Sequence, residues 1–159
     1  MNKARLIGGA ALLVAAWAAQ AAPPIATTTP PELIGARQSG MDMSVIVLGA
    51  MKGTLERGDA VKTQTFAARG LAKWAGALPT LFPNSTRNLA GNRAKPEVWL
   101  SKPDFTAKAA AFAAAANSLV SAAQADDKVA FAAALATTAG TCKACHDTFQ
   151  LPPPPRPAG

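Results

Sequence analysis

The chemistry that this chain offers is concentrated near its C-terminal end, in the stretch TCKACHDTF (residues 141–149). The only two cysteines and the only histidine of the chain lie there, as Cys142, Cys145 and His146. Cys-x-x-Cys-His is the attachment motif of c-type haem. Thiols three positions apart on a helix lie on one side, so each adds to one haem vinyl group and forms a thioether. The adjacent imidazole reaches the iron. We therefore predict one covalently bound haem c per chain, with His146 as the metal ligand.

Three other interpretations of the motif stay open at this point. A disulfide between the two cysteines would close a very small loop and would leave His146 without a role. A thioredoxin-like redox pair normally begins a helix after a strand, whereas this pair lies near the end of a helical pattern. A zinc site normally takes four ligands, and the chain has no second cluster of cysteines or histidines.

The N-terminus has the organisation of a secretory signal peptide at residues 1–21. Two basic residues precede the apolar stretch 6–19, and the sequence AQA at 19–21 fits a signal-peptidase site. The alternative is a transmembrane anchor, but the apolar stretch falls short of the ~20 residues that a span requires. We expect the mature chain to lie in the periplasm without a membrane segment, and to begin with a flexible leader at residues 22–30.

The charge of the chain excludes one class of partner. The formal net charge is +7, and two of the basic residues leave with the signal peptide. The remaining lysines and arginines are spread along the chain, without a basic block and without interleaved aromatic residues. We therefore predict no nucleic-acid partner.

Helical periodicity predicts an all-α fold, an antiparallel four-helix bundle across residues 31–150 with the haem near the C-terminal helix. The predicted helices begin at Pro31, near Asp59, after residues 101–104 and after Asp126–Asp127. A long proline-containing loop at 79–103 separates the second from the third. The abundant alanine leaves little apolar volume to fill a core, which favours a bulky apolar cofactor inside the bundle.

Beyond the motif, the sequence resembles the cytochromes c′ over residues 31–150. The stretch ARQSGM (36–41) resembles the Arg-Gln pair on the first helix of that family, and RAKPEVW (93–99) resembles the segment before its third helix. CKACHDTF (142–149) resembles its haem segment. The family carries its motif on the last helix of a four-helix bundle, whereas most other c-type cytochromes carry it near the N-terminus.

The resemblance implies roles for three residues of the first helix. Arg37 and Gln38 would lie near the haem propionates, which suit a guanidinium group, and Met41 would lie on the distal face of the haem. Helical spacing agrees, because Arg37 and Gln38 precede Met41 by four and three residues on the same side. From the residues alone, a solvated surface charge and a surface amide stay open as alternatives for Arg37 and Gln38.

Four aromatic residues are candidates for the walls of the haem pocket, with ordinary core packing as the alternative reading: Phe82, Trp99, Phe112 and Phe149. One position departs from the family. Many members carry a basic residue four positions after the haem histidine, where this chain has Gln150.

For function, the resemblance implies a five-coordinate, high-spin haem that binds the small gases nitric oxide and carbon monoxide, with nitric-oxide buffering as its use. The alternative is a low-spin electron-transfer cytochrome with periplasmic redox partners and with Met41 as the sixth iron ligand. We do not expect an enzyme, because peroxide chemistry would need a distal base and His146 is the only histidine.

The resemblance also implies a homodimer. Met43, Ile46, Val47 and Ala50 are small or apolar residues that lie off the haem-facing side of the first helix. The tail at 151–159 is rich in proline, and we predict that it is extended and disordered.

Overall fold

The computed structural model describes residues 27–152, in which four long helices are joined by two short connections and one long one. This arrangement confirms the predicted all-α four-helix bundle, and the long connection adds a single-turn helix. The helices are α1 (Pro30–Glu56), α2 (Thr65–Ala77), the single turn α3 (Glu97–Leu100), α4 (Lys102–Gln124) and α5 (Lys128–Phe149).

Several predictions about the two ends fall outside this range. The signal peptide (1–21), the leader up to residue 26 and the tail from residue 153 lie outside the described residues. Between residues 27 and 152, no helix combines the length and the apolar character that a membrane span requires.

Local capping sets where two of the long helices begin. The Thr29 backbone N–H donates to the Glu32 carboxylate over 2.6 Å, and Pro30 and Pro31 occupy the first turn of α1, where no backbone N–H is needed. Asp127 caps α5 as predicted, since its carboxylate accepts a 2.9 Å bond from the Ala130 N–H. Asp126 instead adopts a positive φ of 53° and accepts from the Lys62 N–H over 3.0 Å.

Helix α4 is the central element of the bundle. It packs closely along both α2 and α5, whereas α1 makes few contacts with α2 or α5. The apolar residues that recur every seven positions on α4 are all buried, as the sequence predicts: Phe105, Phe112 and Leu119. The fold therefore leaves α1 standing away from α5, the helix that carries the haem motif.

The connections differ from the sequence prediction in three places. The second helix begins at Thr65 rather than near Asp59, because a 3₁₀ turn at Val61–Gln64 buries Val61 completely. The long loop is partly regular, with 3₁₀ turns at Leu78–Leu81 and Asn84–Thr86. Helix α5 ends at Phe149, before the prolines, because Gln150 leaves the helix to form an antiparallel bridge with Ala94.

Candidate haem-binding site

Two adjoining clefts lie where α1 stands away from α5. The first, which we call the Arg37 cleft, is closed on one side by the loop before α3. The second, which we call the Phe112 cleft, lies between α1, α4 and α5. Four residues line both clefts: Met41, Leu78, Cys145 and His146.

The two cysteines lie one turn apart on α5 and face the clefts. Cys142 lines the Phe112 cleft, Cys145 lines both clefts, and each residue is half-buried. Burial raises the pKa of both thiols above the ordinary cysteine value. A redox-active cysteine pair needs the opposite shift, because the thiolate is the reactive form. The environment of these thiols therefore argues against a thioredoxin-like pair.

His146 follows Cys145 on the same wall and is also half-buried. Its pKa is lowered from the ordinary histidine value, first by burial and then by the positive charge of Arg93. Both effects favour the neutral imidazole, which is the form that binds a metal. The nearby Asp147 carboxylate opposes these two effects, and the net direction still favours the form that an iron ligand requires.

Arg37 is not the solvated surface charge that the sequence left open, since the residue is 4% exposed. Its Nη1 donates to the Leu81 carbonyl oxygen over 2.9 Å and to Thr86 Oγ1 over 3.1 Å. Its Nη2 donates to Asn92 Oδ1 over 2.6 Å, and its guanidinium carbon lies 4.4 Å from the centre of the Phe82 ring. The hydrogen bonds of Arg37 thus hold the loop at 81–92 against α1, and the same side chain lines the Arg37 cleft.

Asn92 and Gln38 complete the attachment of this loop. The Asn92 amide donates to the carbonyl oxygens of Thr86 and Arg87 over 3.0 and 2.8 Å. Gln38 is exposed, but its Nε2 donates to the Gly91 carbonyl oxygen over 2.9 Å, so it is more than a free surface amide. The Arg-Gln pair of α1 therefore fixes the wall that closes the Arg37 cleft.

Met41 lies one turn after Arg37 on α1 and lines both clefts together with His146. It is half-buried and packs against the apolar core. Met43, two positions further along α1, is 57% exposed and lines neither cleft. Met41 is therefore on the side of α1 that the helical spacing predicts to face the haem.

The residues present fit a covalently held haem. The clefts are apolar in most of their lining, and they bring Cys142, Cys145 and His146 to one wall. The model for the family described as cytochrome c′ matches residues 32–150, nearly all of the described chain. This chain belongs to the cytochrome c′ family. As a member, it is a c-type haem protein, which accounts for the motif in place of a disulfide or zinc site.

Individual relatives of the cytochrome c′ family agree over most of the chain. The cytochrome c′ of Rhodospirillum rubrum is 33% identical over 141 residues, which cover 87% of this chain and 96% of that protein. A solved cytochrome c′ with ligand-controlled dimer dissociation is 27% identical with a TM-score of 0.73, over 80% of this chain and 100% of that one. The nitric oxide complex of a mutant cytochrome c prime from Alcaligenes xylosoxidans is 25% identical with a TM-score of 0.70, over 78% and 98% of the chains.

The aromatic residues divide between the clefts and the loop. Phe82 and Phe149 line the Arg37 cleft, and Phe112 lines the other. Trp99 lines neither cleft and packs against the apolar core, which favours the alternative of ordinary core packing. Its indole N–H donates to the carbonyl oxygens of Phe82 and Pro83 over 3.0 and 3.2 Å, which turns the side chain towards the loop.

Sequence reasoning did not assign cleft roles to Phe105 and Arg93. Phe105 lines the Arg37 cleft and stacks edge-on against Phe82 and Phe149, with ring centres 4.9 and 5.4 Å apart. Its seven-residue spacing from Phe112 marked it as buried but did not say against what. Arg93 belongs to a stretch that resembles the cytochromes c′, yet only the folded loop brings it into the cleft.

Proposed function

We propose that the protein is a periplasmic, five-coordinate haem c protein that binds nitric oxide and carbon monoxide and buffers nitric oxide. One haem would be attached to both cysteines, with His146 as the iron ligand. When bound, the haem supplies an iron whose sixth coordination position accepts a small gas. The observation that carries the proposal is the position of Met41, a half-buried apolar side chain that lines both clefts together with His146.

The wall around Met41 in the Phe112 cleft is mostly apolar, with Lys108 as its one charged side chain. Leu48, Leu78 and Phe112 contribute apolar surface to the Phe112 cleft. The hydroxyl groups of Ser44 and Thr141 both donate to backbone carbonyls of their own helices, over 2.7 Å each, so they have no proton left for an anion. Burying a neutral polar group without a hydrogen bond already costs about 2–7 kcal/mol, and burying an ion costs more. An anion is therefore disfavoured over the apolar surface away from Lys108, whereas a diatomic gas loses little.

Electron transfer is the second candidate, and the same methionine supports it. A thioether is a soft ligand that takes the sixth position in histidine–methionine cytochromes. Met41 is the one methionine that lines the clefts among the described residues. We favour Met41 as an apolar cover over the iron rather than as the sixth iron ligand. A flexible methionine side chain packs readily against an apolar wall, and Met41 contacts the apolar core.

We further propose that the protein forms homodimers through the outer face of α1 and α2 and is not an enzyme. Met43 and Ile46 are 57% and 63% exposed on α1, and Phe66 is 90% exposed on α2. A shallow groove between α1 and α2 is lined mostly by small and apolar residues, which include Met43, Val47 and Trp74. Apolar surface of this kind is typical of a protein interface, and the solved relative described above as a dimer is similar in fold.

Gas binding to the purified ferrous holoprotein tests the proposal. We expect carbon monoxide and nitric oxide to bind, and we expect azide to bind the ferric protein weakly. In Met41→Ala the obstruction shrinks, so carbon monoxide should associate on the order of tenfold faster, equivalent to about 1.4 kcal/mol off the barrier.

Met43→Ala is the matched control for this rate. Met43 is two positions further on α1, about 200° round the helix by its geometry of 3.6 residues per turn, and it lines neither cleft. Its removal should leave the rate unchanged. A ferrous protein that binds no carbon monoxide until Met41 is removed would contradict five-coordination.

A further inference from the structure

Arg93 carries a hydrogen-bond donor that the fold itself does not use. Its side chain lines the Arg37 cleft together with His146. Its Nη2 donates to the Leu151 carbonyl oxygen over 3.1 Å, but its Nε is buried and has no hydrogen-bond partner among the described residues. A buried donor left unpaired destabilises the fold. The geometry therefore points to an acceptor that enters the cleft and is not part of the described chain.

The charge of the Arg37 cleft indicates which kind of hydrogen-bond acceptor would fit. Arg37 and Arg93 both line it, and no aspartate or glutamate does. Neither arginine forms an ion pair within residues 27–152, where the ion pairs all lie on exposed surface. Two guanidinium groups in one partly buried wall, without a carboxylate, favour a negatively charged ligand.

The two arginines differ in how many of their hydrogen-bond donors remain unused. The Arg37 guanidinium already donates to three oxygen atoms of the loop, whereas the Arg93 side chain makes one hydrogen bond. The backbone of Arg93 is also held beside the end of α5. Its carbonyl oxygen accepts from the Leu151 N–H over 2.8 Å, and the Lys95 N–H donates to the Phe149 carbonyl oxygen over 2.8 Å.

We propose that Arg93 binds one of the two carboxylates of the haem through its Nε–H. This role is additional to the residues that the motif and the resemblance indicated. It depends on the haem that the family carries and not on gas binding. The two proposals therefore fail separately, because a haem that binds no gas would still need a partner for its carboxylate.

The reduction potential of the holoprotein tests this assignment. Arg93→Gln removes the charge and keeps an amide donor for Leu151. The carboxylate then loses its cation and stabilises ferric iron, so we expect the potential to fall. The fall should persist in 1 M salt, because a partly buried pair is screened less than surface charges, for which the Debye length is about 3 Å. Arg93→Lys should restore part of the potential.

Lys95→Gln is the matched control, since it removes the same charge two positions away. Lys95 does not line the cleft, and its Nζ donates to the exposed Asp147 carbonyl oxygen over 3.0 Å. Its effect should vanish in 1 M salt. Two results would overturn the proposal. One is a fall in reduction potential that is equal in both variants and vanishes for both in 1 M salt, and the other is an unchanged potential in Arg93→Gln.

A crystal structure of the native holoprotein gives a test that needs no variant to fold. We expect Arg93 Nε to lie within about 2.7–3.2 Å of a haem carboxylate oxygen. An Arg93 side chain that points away from both carboxylates, with Nε bonded to water or protein, would refute it.

Discussion

At the scale of single residues, the site depends on the side chains that bind the loop wall of the Arg37 cleft to α1 as much as on the side chains that would contact the haem. Arg37 shows this most clearly. The resemblance implies that it lies near the propionates, and it lines the cleft, but its observed hydrogen bonds go to Leu81, Thr86 and Asn92 of the loop. Burial lowers the pKa of Arg37, yet a guanidinium stays protonated in a protein. One buried cation therefore serves both the loop and the electrostatics of the cleft.

Arg37→Gln should consequently change stability and potential together. Each buried acceptor left unpaired costs about 1–3 kcal/mol, so we expect the free energy of unfolding to fall by at least about 2 kcal/mol in denaturant titrations. The haem potential should also fall, because a cation that opposed the ferric charge is gone.

The exposed Arg57 provides the comparison for Arg37. It pairs with Asp59 over 2.8 Å on the surface, where such a pair contributes about 0–1 kcal/mol. Arg57→Gln should therefore leave both the stability and the potential close to those of the native protein. Losses of similar size in the two variants would show that the loop does not depend on the buried guanidinium.

At the scale of elements, the approach of α1 to α2 depends on one glycine. The Trp74 ring of α2 packs directly on Gly40 of α1, so that a Cβ added at Gly40 would clash with three atoms of the indole. This contact sets the position of α1 just before Met41. The outer groove that includes Met43 and Val47 runs over the same contact.

Gly40→Ala should destabilise the protein by about 1–3 kcal/mol, the usual cost of overpacking. Gly35→Ala on the same helix is the control, because nothing lies within 4 Å of a Cβ there, and alanine should stabilise the helix by up to about 1 kcal/mol. Thermal unfolding measures both. A Gly40→Ala protein that melts at or above the temperature of Gly35→Ala would show that the two helices are free to separate.

Helices that are specified locally could be predicted from the sequence, whereas the loop walls could not. Asp127 and the seven-residue spacing of Phe105, Phe112 and Leu119 are visible within a turn or two, and the haem motif occupies five positions. The bonds of Arg37 join residues 44 to 55 positions apart, and the bond of Arg93 spans 58. No local pattern encodes such pairs. The hydrogen-bond partners of Trp99 could not be predicted for the same reason, since these carbonyls belong to a loop whose path only the folded chain defines.

At the scale of the whole molecule, the exposed apolar side chains on α1 and α2 call for a partner surface. A second copy of the chain is the partner that the family resemblance implies. Ile46 lies on this face and is 63% exposed, and the residues around it include Met43 and Val47. A two-fold homodimer joins the same surface patch of both copies, so an exposed apolar patch could serve as both halves of the interface.

Ile46→Glu should therefore convert the dimer to a monomer, because it places a charge in an apolar interface. Sedimentation equilibrium of the holoprotein measures the change. Val129→Glu is the control, since Val129 is 82% exposed on α5 and lies on a different helix from the proposed interface. A native protein that is monomeric at all accessible concentrations would rule the dimer out.

In the haem site that we propose, the iron has five ligands and Met41 covers the sixth position without binding it. The visible absorption and electron paramagnetic resonance spectra of the ferric holoprotein at neutral pH test it most directly. We expect a high-spin spectrum that stays high-spin in Met41→Ala. A low-spin spectrum with a sulfur-to-iron charge-transfer band, present in the native protein and lost in Met41→Ala, would show that Met41 binds the iron and would identify an electron-transfer cytochrome.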